Sequence, residues 1–291
     1  METIQFEALG THWKIKIADD ISGEKQEKLT EQIQLSVRQF EVRYSRFIGY
    51  SLVSEMARVA GTYTLPIESK DMLDLYARLY TLTHGKLTPL IGQVMEDAGY
   101  DSNYTLTPRK LTQPPKWDDV LVYQFPELTL KRPIQLDFGA LGKGCLVDSV
   151  SQMLLGANIC TYYIDAGGDI LHRSANGEFL DIGLENPLNS EEAIGVVQLS
   201  NQSLCGSSGS KRKWENYHHL IDPDTLTSPT DILATWVIAD STLLADALAT
   251  ALFFVPAKQL SSEFRFEHCI LFADFSLEQS AGMPVEIFVR G

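Results

Sequence analysis

Apolar and polar residues alternate along METIQFEALGTHWKIKI, and this period of two predicts a hairpin over residues 3–17. The period then lengthens. Residues 24–42 carry the spacing of a long amphipathic helix, and two further helices are expected at 69–84 and 140–156. Ser69 stands where an N-cap would begin the first of these two. The Pro-rich LTPRKLTQPPKW at 106–117 fits neither period and reads as a surface excursion. From residue 161 the chain breaks into short apolar runs, TYYID, LDIGL, GVVQL, SLCGS and TWVIA, divided by Gly, Asn and Pro as the strands of a large sheet would be. A helix over 241–254 follows, with Asp240 and Ser241 as caps and Pro256 as its stop, and HCILFAD and VEIFV close the chain as strands. This order of elements makes an α+β protein.

One feature of the 241–254 helix stands out chemically. LADALATAL, residues 244–252, carries Asp246 and Thr250 among alanines and leucines. Residues four apart share a helix face, so the carboxylate and the hydroxyl point to one place. The segment is too apolar to lie wholly in water, and a buried ionised Asp is costly without a partner.

At 291 residues the chain is long enough for a substantial core, in one large domain or in two closely packed halves. A formal net charge of −14, with no basic block longer than Lys211-Arg212-Lys213, argues against a sequence-independent grip on nucleic acid or anionic lipid. No apolar run is long and continuous enough to span a bilayer, and the start lacks the pattern of a secretory signal or a lipid-anchor cysteine. The expectation is a soluble, cytoplasmic protein. Cys145, Cys160, Cys205 and Cys269 are scattered, so neither a zinc site nor a disulfide framework is indicated, and they are read as buried thiols.

Three polar stretches sit where strands end. LDFGALGKG, 136–144, runs from an apolar strand through glycines into a helix, which would expose amides suited to phosphate. It matches neither the P-loop nor the dinucleotide spacing, and a tight strand-to-helix turn accounts for the glycines equally well. DAGGD, 165–169, is either a hairpin turn or a close approach of ligand to backbone. In YHHLIDPDT, 217–225, adjacent His218 and His219 on a strand point to opposite faces, so at most one belongs to a given site. Asp222 before Pro223 fits a turn, with Asp224 and Thr225 as local backbone-bonding residues.

Together and in this order, the stretches resemble the FAD:protein FMN transferase family. LGTHWKIKI at 9–17 is similar to the family's opening Met-Gly-Thr strand, and YSRFIGYSLVSEMAR at 44–58 to its Ser-rich segment. GKLTPLIGQV at 85–94 resembles its Phe-Asp-Pro segment, and LDFGALGKGCLVD its Leu-Asp-Leu-Gly-Gly-x-Ala-Lys-Gly stretch. DAGGD, IGLENP and HLIDPDT look like its Gly-Gly-Asp, Gly-Ile-x-x-Pro and His-Ile-Ile-Asp-Pro-x-Thr motifs, and ADALATAL like its magnesium helix.

The resemblance implies an ApbE-like, T-fold-like α+β fold of mixed sheets and packed helices, two intimately associated halves forming one domain over residues 1–291. It implies Mg²⁺ held by Asp246, Thr250 and the Ala140 carbonyl. It implies FAD as substrate, contacting Leu9, Phe47, Lys86, Leu87, Thr88, Asp137, Lys143 and Ile221. The implied reaction moves FMN from FAD onto a Thr or Ser hydroxyl of an acceptor protein and releases AMP. His219 would act as general base, a role suited to a near-neutral pKa. The expected acceptor is a reductase subunit. The chain departs from the pattern at Leu9, Phe47, Leu87, Thr88 and Leu226, and SSGSKRKW at 207–214 lacks the acidic and aromatic pair common in the family. The Asp replaced by Thr88 is expected to take a polar contact with it. An FAD pyrophosphatase giving FMN and AMP, and a flavin-binding protein without turnover, are the alternative readings.

Overall fold

In a computed structural model, which describes residues 2–210 and 212–288, the opening hairpin forms as its alternation predicts. Strands β1 (Glu2–Ala8) and β2 (Thr11–Ile17) pair from Glu2↔Ile17 to Ala8↔Thr11. The two turn residues, Leu9 and Gly10, both have positive φ, 50° and 69°, which matches the twist of the strands. Leu9 meets a backbone demand that glycine meets without strain.

Helix α1 (Gly23–Tyr44) starts under the Ser22 cap and buries Leu29, Ile33, Val37, Phe40 and Tyr44 along one stripe. Helix α2 (Leu52–Met56), β3 (Gly61–Thr64), α3 (Lys70–Leu82), α4 (Gly92–Asp97), α5 (Trp117–Val120), β4 (Leu121–Gln124) and β5 (Glu127–Leu130) complete the first part. Helix α6 (Gly142–Gly156) leads into β6 (Tyr162–Ala166), β7 (Ile170–Arg173), β8 (Leu180–Asn186), β9 (Asn189–Leu199) and β10 (Ser203–Ser208). Two short strands, β11 (Lys213–Trp214) and β12 (Tyr217–His218), precede β13 (Ile232–Ala239), α7 (Thr242–Ala251), α8 (Ala257–Leu260), β14 (Glu267–Phe272), β15 (Leu277–Gln279) and β16 (Val285–Ile287).

Eight strands form one antiparallel sheet in the order β1-β2-β6-β7-β10-β13-β14-β15. Its two faces explain TYYID, SLCGS and TWVIA, whereas LDIGL and GVVQL, expected in the same sheet, form a separate small one with β16. Ile15, Ile164, Leu171, Cys205, Val237 and Ile270 pack into the large core shared with α1, α3, α6 and α7. Their neighbours Ile170, Leu204, Trp236, Ile238, Cys269 and Leu271 pack instead against the small sheet β16-β9-β8, through Ile182, Leu184, Val197 and Leu199. A strand covered on both sides has no polar face to show, so β13 reads as continuous apolar sequence. The result is helices, a large sheet and a small sheet in three layers, the expected α+β arrangement.

Several local expectations are corrected. Ser69 does not cap α3: it lies in helical conformation at the end of a 3₁₀ turn, and its hydroxyl donates to the Pro66 carbonyl at 2.6 Å. The 140–156 helix begins at Gly142, because Phe138 to Leu141 still turn the chain. The 241–254 helix ends at Ala251, Ser241 rather than Asp240 caps it, and Pro256 opens α8. Cys160 is exposed, unlike the other three thiols. Val289 of VEIFV and Lys211 of the basic triplet lie outside the described residues. No described helix is long and apolar enough to cross a membrane.

Candidate active site

Helix α7 is held at its start by two caps. Ser241 Oγ accepts the Leu244 N–H at 3.2 Å, and the Asp148 carboxylate, projecting from α6, accepts the Thr242 and Leu243 N–H groups at 2.9 Å each. This fixes α7 against α6 at a separation only glycine allows. A Cβ on Gly144 would stand 2.4 Å from the Thr242 carbonyl oxygen and 2.9 Å from Asp246 Cβ.

Within that contact Asp246 is 4% exposed. Its Oδ2 accepts the Gly144 N–H at 2.9 Å, and its Oδ1 lies 4.0 Å from Lys143 Nζ. Burial raises its pKa, with the Lys143 charge and the Gly144 amide acting against that rise. Thr250 is likewise buried, its hydroxyl 3.3 Å from Ser207 Oγ. In the 136–144 stretch, read as either a phosphate-binding helix start or a tight turn, the Gly142 amide and that of the following Cys145 bond the preceding turn, and the Gly144 amide anchors Asp246. Lys143 is also engaged, ion-paired with the buried Asp169 of the DAGGD turn. That turn is the tight turn of its first sequence reading, and it lies at the cavity wall. Gly167 and Gly168 have positive φ, 67° and 100°, and line the same cavity as Lys143.

The cavity has a volume of about 1050 Å³. It is lined by Leu9, Phe47, Lys86, Leu87, Thr88, Asp137, Ala140, Lys143, His219, Ile221, Asp246 and Thr250, the twelve positions that the resemblance implied for metal, FAD and base, while His218, Asp222 and Leu226 lie outside the lining. Several already have protein partners. Asp137 accepts Arg46 Nε at 2.6 Å and the Gly139 N–H at 2.6 Å. Lys86 donates to Asp222 at 2.6 Å, while the other Asp222 oxygen accepts the Asp224 and Thr225 amides at 2.8 and 3.4 Å. Burial pushes the Asp222 pKa up, but these bonds outweigh it and hold the carboxyl below its ordinary value. Thr88 caps the short 3₁₀ helix that follows it, accepting the Leu90 N–H at 3.2 Å. This side chain thus supplies a local capping bond from the cavity wall. Leu226, a departure from the resembled pattern, takes φ 58° and packs against the buried cluster that holds Tyr100, Trp214 and Ile221.

The two histidines divide between core and cavity, although β12 ends at His218 and His219 lies just beyond it. His218 is buried with Nε2 2.9 Å from the Pro229 carbonyl, and its Nδ1 accepts the Leu220 N–H at 3.2 Å, which fixes the Nε2–H tautomer. His219 faces the cavity, its Nδ1 without a partner among the described residues. Its pKa is not near neutral as expected: burial, and then the charges of Arg212, His218 and Lys143, push it down to about 3. The ring is a neutral proton acceptor across the physiological range.

Sequence reasoning missed several cavity residues: Arg46, Tyr100, Tyr104 and Arg212 among the lining, and Asp169 as the partner of Lys143. Asp169 had a signal in its place in DAGGD, and Arg46 and Arg212 lay within the quoted 44–58 and 207–214 stretches, whereas Tyr100 and Tyr104 had none. No group of three or more His, Cys, Asp or Glu side chains converges among the described residues. Asp246, Thr250 and Ala140, the positions implied for a metal, all line this one cavity.

The ApbE family model matches residues 9–267. The FAD:protein FMN transferase of Chlamydia pneumoniae is 25% identical over 293 residues, spanning 92% of this chain and 90% of that protein. The FAD:protein FMN transferase of Haemophilus influenzae is 27% identical over 84% of this chain and 78% of its own length. Among solved structures, the ApbE protein of Thermotoga maritima superposes with a TM-score of 0.83 at 20% identity, covering 96% of this chain and 97% of that one. The flavin transferase ApbE of Vibrio cholerae gives 0.77 at 18% identity over 96% and 97%. With the match running through nearly every segment that lines the cavity, the chain belongs to the ApbE family.

Proposed function

We propose that this protein is a magnesium-dependent FAD:protein FMN transferase, residues 1–291 acting as one functional unit. The observation that carries the reading is the convergence of twelve positions, from Leu9 to Thr250, on one cavity with a buried carboxylate in its wall. The names of the Chlamydia and Haemophilus relatives supply the activity.

The residues present fit magnesium. A carboxylate, a hydroxyl one helical turn on and a backbone carbonyl are hard oxygen donors, and one formal charge leaves positions for phosphate oxygens and water. Such an ion would lie with Asp246, Thr250 and Ala140 and would neutralise charge on the transferring phosphoryl group. The rest is done by the chain. A Thr or Ser hydroxyl of the acceptor protein attacks the FMN phosphorus, the bond to the AMP phosphate breaks, and AMP leaves with the electron pair. The hydroxyl proton passes to His219, a ring held neutral by its surroundings and with no partner for its Nδ1 among the described residues. A ring of pKa about 3 is a weak base on its own, and the negative diphosphate arriving beside it raises its basicity as the substrate binds. Positioning and charge neutralisation supply most of the acceleration. The acceptor we propose is a reductase subunit, with a cytoplasmic setting.

The test is incubation with FAD and Mg²⁺, with and without a peptide bearing an Asp-Gly-x-Thr-Gly-Ala-Thr acceptor sequence. The expected result is AMP release and a covalently flavinylated peptide only when both are present. Release of FMN and AMP without peptide makes the protein a pyrophosphatase, and tight FAD binding with no release makes it a carrier.

A further inference from the structure

Arg46 follows the C-terminus of α1 and is 5% exposed. Its Nε is bonded to Asp137, but its Nη1 and Nη2 are closed off from solvent without a partner among the described residues. Buried donors are nearly always paired, so these ask for an explanation. The guanidinium lies 4.2 Å from the Phe47 ring centre and 5.2 Å from that of Tyr100. Phe47 in turn lies almost parallel to Tyr104, 7° between the planes and 5.6 Å between centres. Tyr104 is 53% exposed, and all four residues line the cavity.

We propose that Arg46 is the residue that recognises the flavin ring of FAD, its two terminal nitrogens bonding the carbonyl and ring-nitrogen edge of the isoalloxazine once the Phe47–Tyr104 stack moves aside. This rests on FAD being the substrate. Three features select the ring over the other parts of FAD. The guanidinium fork only donates, and a flavin edge offers two adjacent acceptors, whereas an adenine edge sets the N6 amino donor beside its N1 or N7 acceptor. The Asp137 carboxylate at 2.6 Å offsets the charge of Arg46, so the pair exerts little net pull on a diphosphate while its hydrogen-bonding fork remains. The surroundings, Phe47, Tyr100 and Tyr104, are flat rings on which a planar heterocycle packs.

The experiment measures binding of riboflavin, FAD and ADP, with Mg²⁺ present, to the parental protein and to Arg46→Lys and Arg46→Gln. Lysine keeps the charge beside Asp137 without the fork. The expected result is a loss of about 10- to 100-fold for riboflavin and FAD in both variants, the worth of hydrogen bonds to a charged group, with ADP within twofold of the parent. Because the three ligands are compared on one preparation, a partly folded variant lowers all three stoichiometries and leaves the contrast readable. Unchanged riboflavin affinity, or ADP weakened with it, overturns the assignment. Weakening of ADP and FAD alone moves Arg46 to the diphosphate, which also overturns it. A parental protein that binds no flavin sinks the transferase reading itself, an outcome visible before any variant is compared.

Discussion

His218 and His219 separate folding from chemistry one residue apart. His219→Ala is expected to cut acceptor-dependent flavin transfer by about 10²-fold or more with little change in melting temperature. His218→Ala should instead cost about 1–3 kcal/mol of stability, since the ring bonds both Pro229 and Leu220, and leave transfer by the folded fraction intact. Parental transfer rates in His219→Ala would refute the base assignment. The pH dependence follows from the depressed pKa of His219, about 3 when folded. The unfolded ring takes a proton near its ordinary value of about 6.5. The unfolded state therefore binds more protons between these values, and stability contributed by His219 is lost as pH falls from about 6.5 toward 3. By the same reasoning kcat/KM, which reports the free enzyme, should show no His219 limb between pH 5 and 8, and a limb near 6.5 that disappears in His219→Ala would contradict this. At Asp246 the shift is upward through burial, so its ionised form disfavours the folded state above its raised pKa. Asp246→Asn keeps an acceptor for the Gly144 amide. It should melt no lower than the parent near pH 7 while losing the stabilisation by Mg²⁺, about 2.7 kcal/mol at one hundred times Kd for the parent. The pairing of Asp246 with Thr250 was legible because it lies within one helix turn. The pKa of His219 was not, because it is set first by burial, which depends on how distant segments pack around the ring, and only then by the charges of Arg212, His218 and Lys143.

Elements hold these residues in place through contacts that no local pattern announces. Asp148 on α6 caps α7 across ninety-four positions of sequence. Its replacement by alanine should cost about 1–2 kcal/mol and loosen the helix that carries both Asp246 and Thr250, which a lowered melting temperature together with weakened Mg²⁺ binding would reveal. Equal Mg²⁺ affinity in Asp148→Ala would mean that α7 is positioned by packing alone. Gly144→Ala is a sharper probe, since the added methyl meets backbone at 2.4 Å and the two helices must separate to admit it. A loss of about 1–3 kcal/mol is expected, with the site disturbed as well. In the sequence, Gly144 belonged to a stretch that read equally as turn or phosphate loop. Its actual reason, the close approach of two helices, depends on which helix lies opposite. Apolar periodicity did announce α1, whose buried stripe repeats every three or four residues, and the opening hairpin. Helix ends were less legible, as Ser69 illustrates, because the serine that caps and the serine that closes a 3₁₀ turn look alike in a sequence.

At the scale of the molecule, one core gathers residues from Ile4 to Ile270 and joins both parts of the chain, so thermal unfolding should be a single cooperative transition that FAD and Mg²⁺ together move upward. Two resolved transitions would show that the halves fold separately. The α+β character was legible from the order of periods along the chain. The seating of the small sheet on the large one was not, since it depends on which apolar face of each strand meets which partner. The cavity was legible only through motif order, and its aromatic wall, Phe47 with Tyr100 and Tyr104, was half hidden because isolated rings carry no period. The exposure of Cys160 has a practical outcome at this same scale. Burial drives Cys145 up to about 12, Cys269 to about 11 and Cys205 well above its ordinary range, so these thiols stay protonated and shielded. Cys160, absent from the cavity lining, is left as the one accessible thiol among the four. Air-oxidised preparations should therefore run partly as a covalent dimer on non-reducing gels, reverting with dithiothreitol and absent in Cys160→Ser. A maleimide dye should in turn attach at a single position and report on the enzyme without blocking its site.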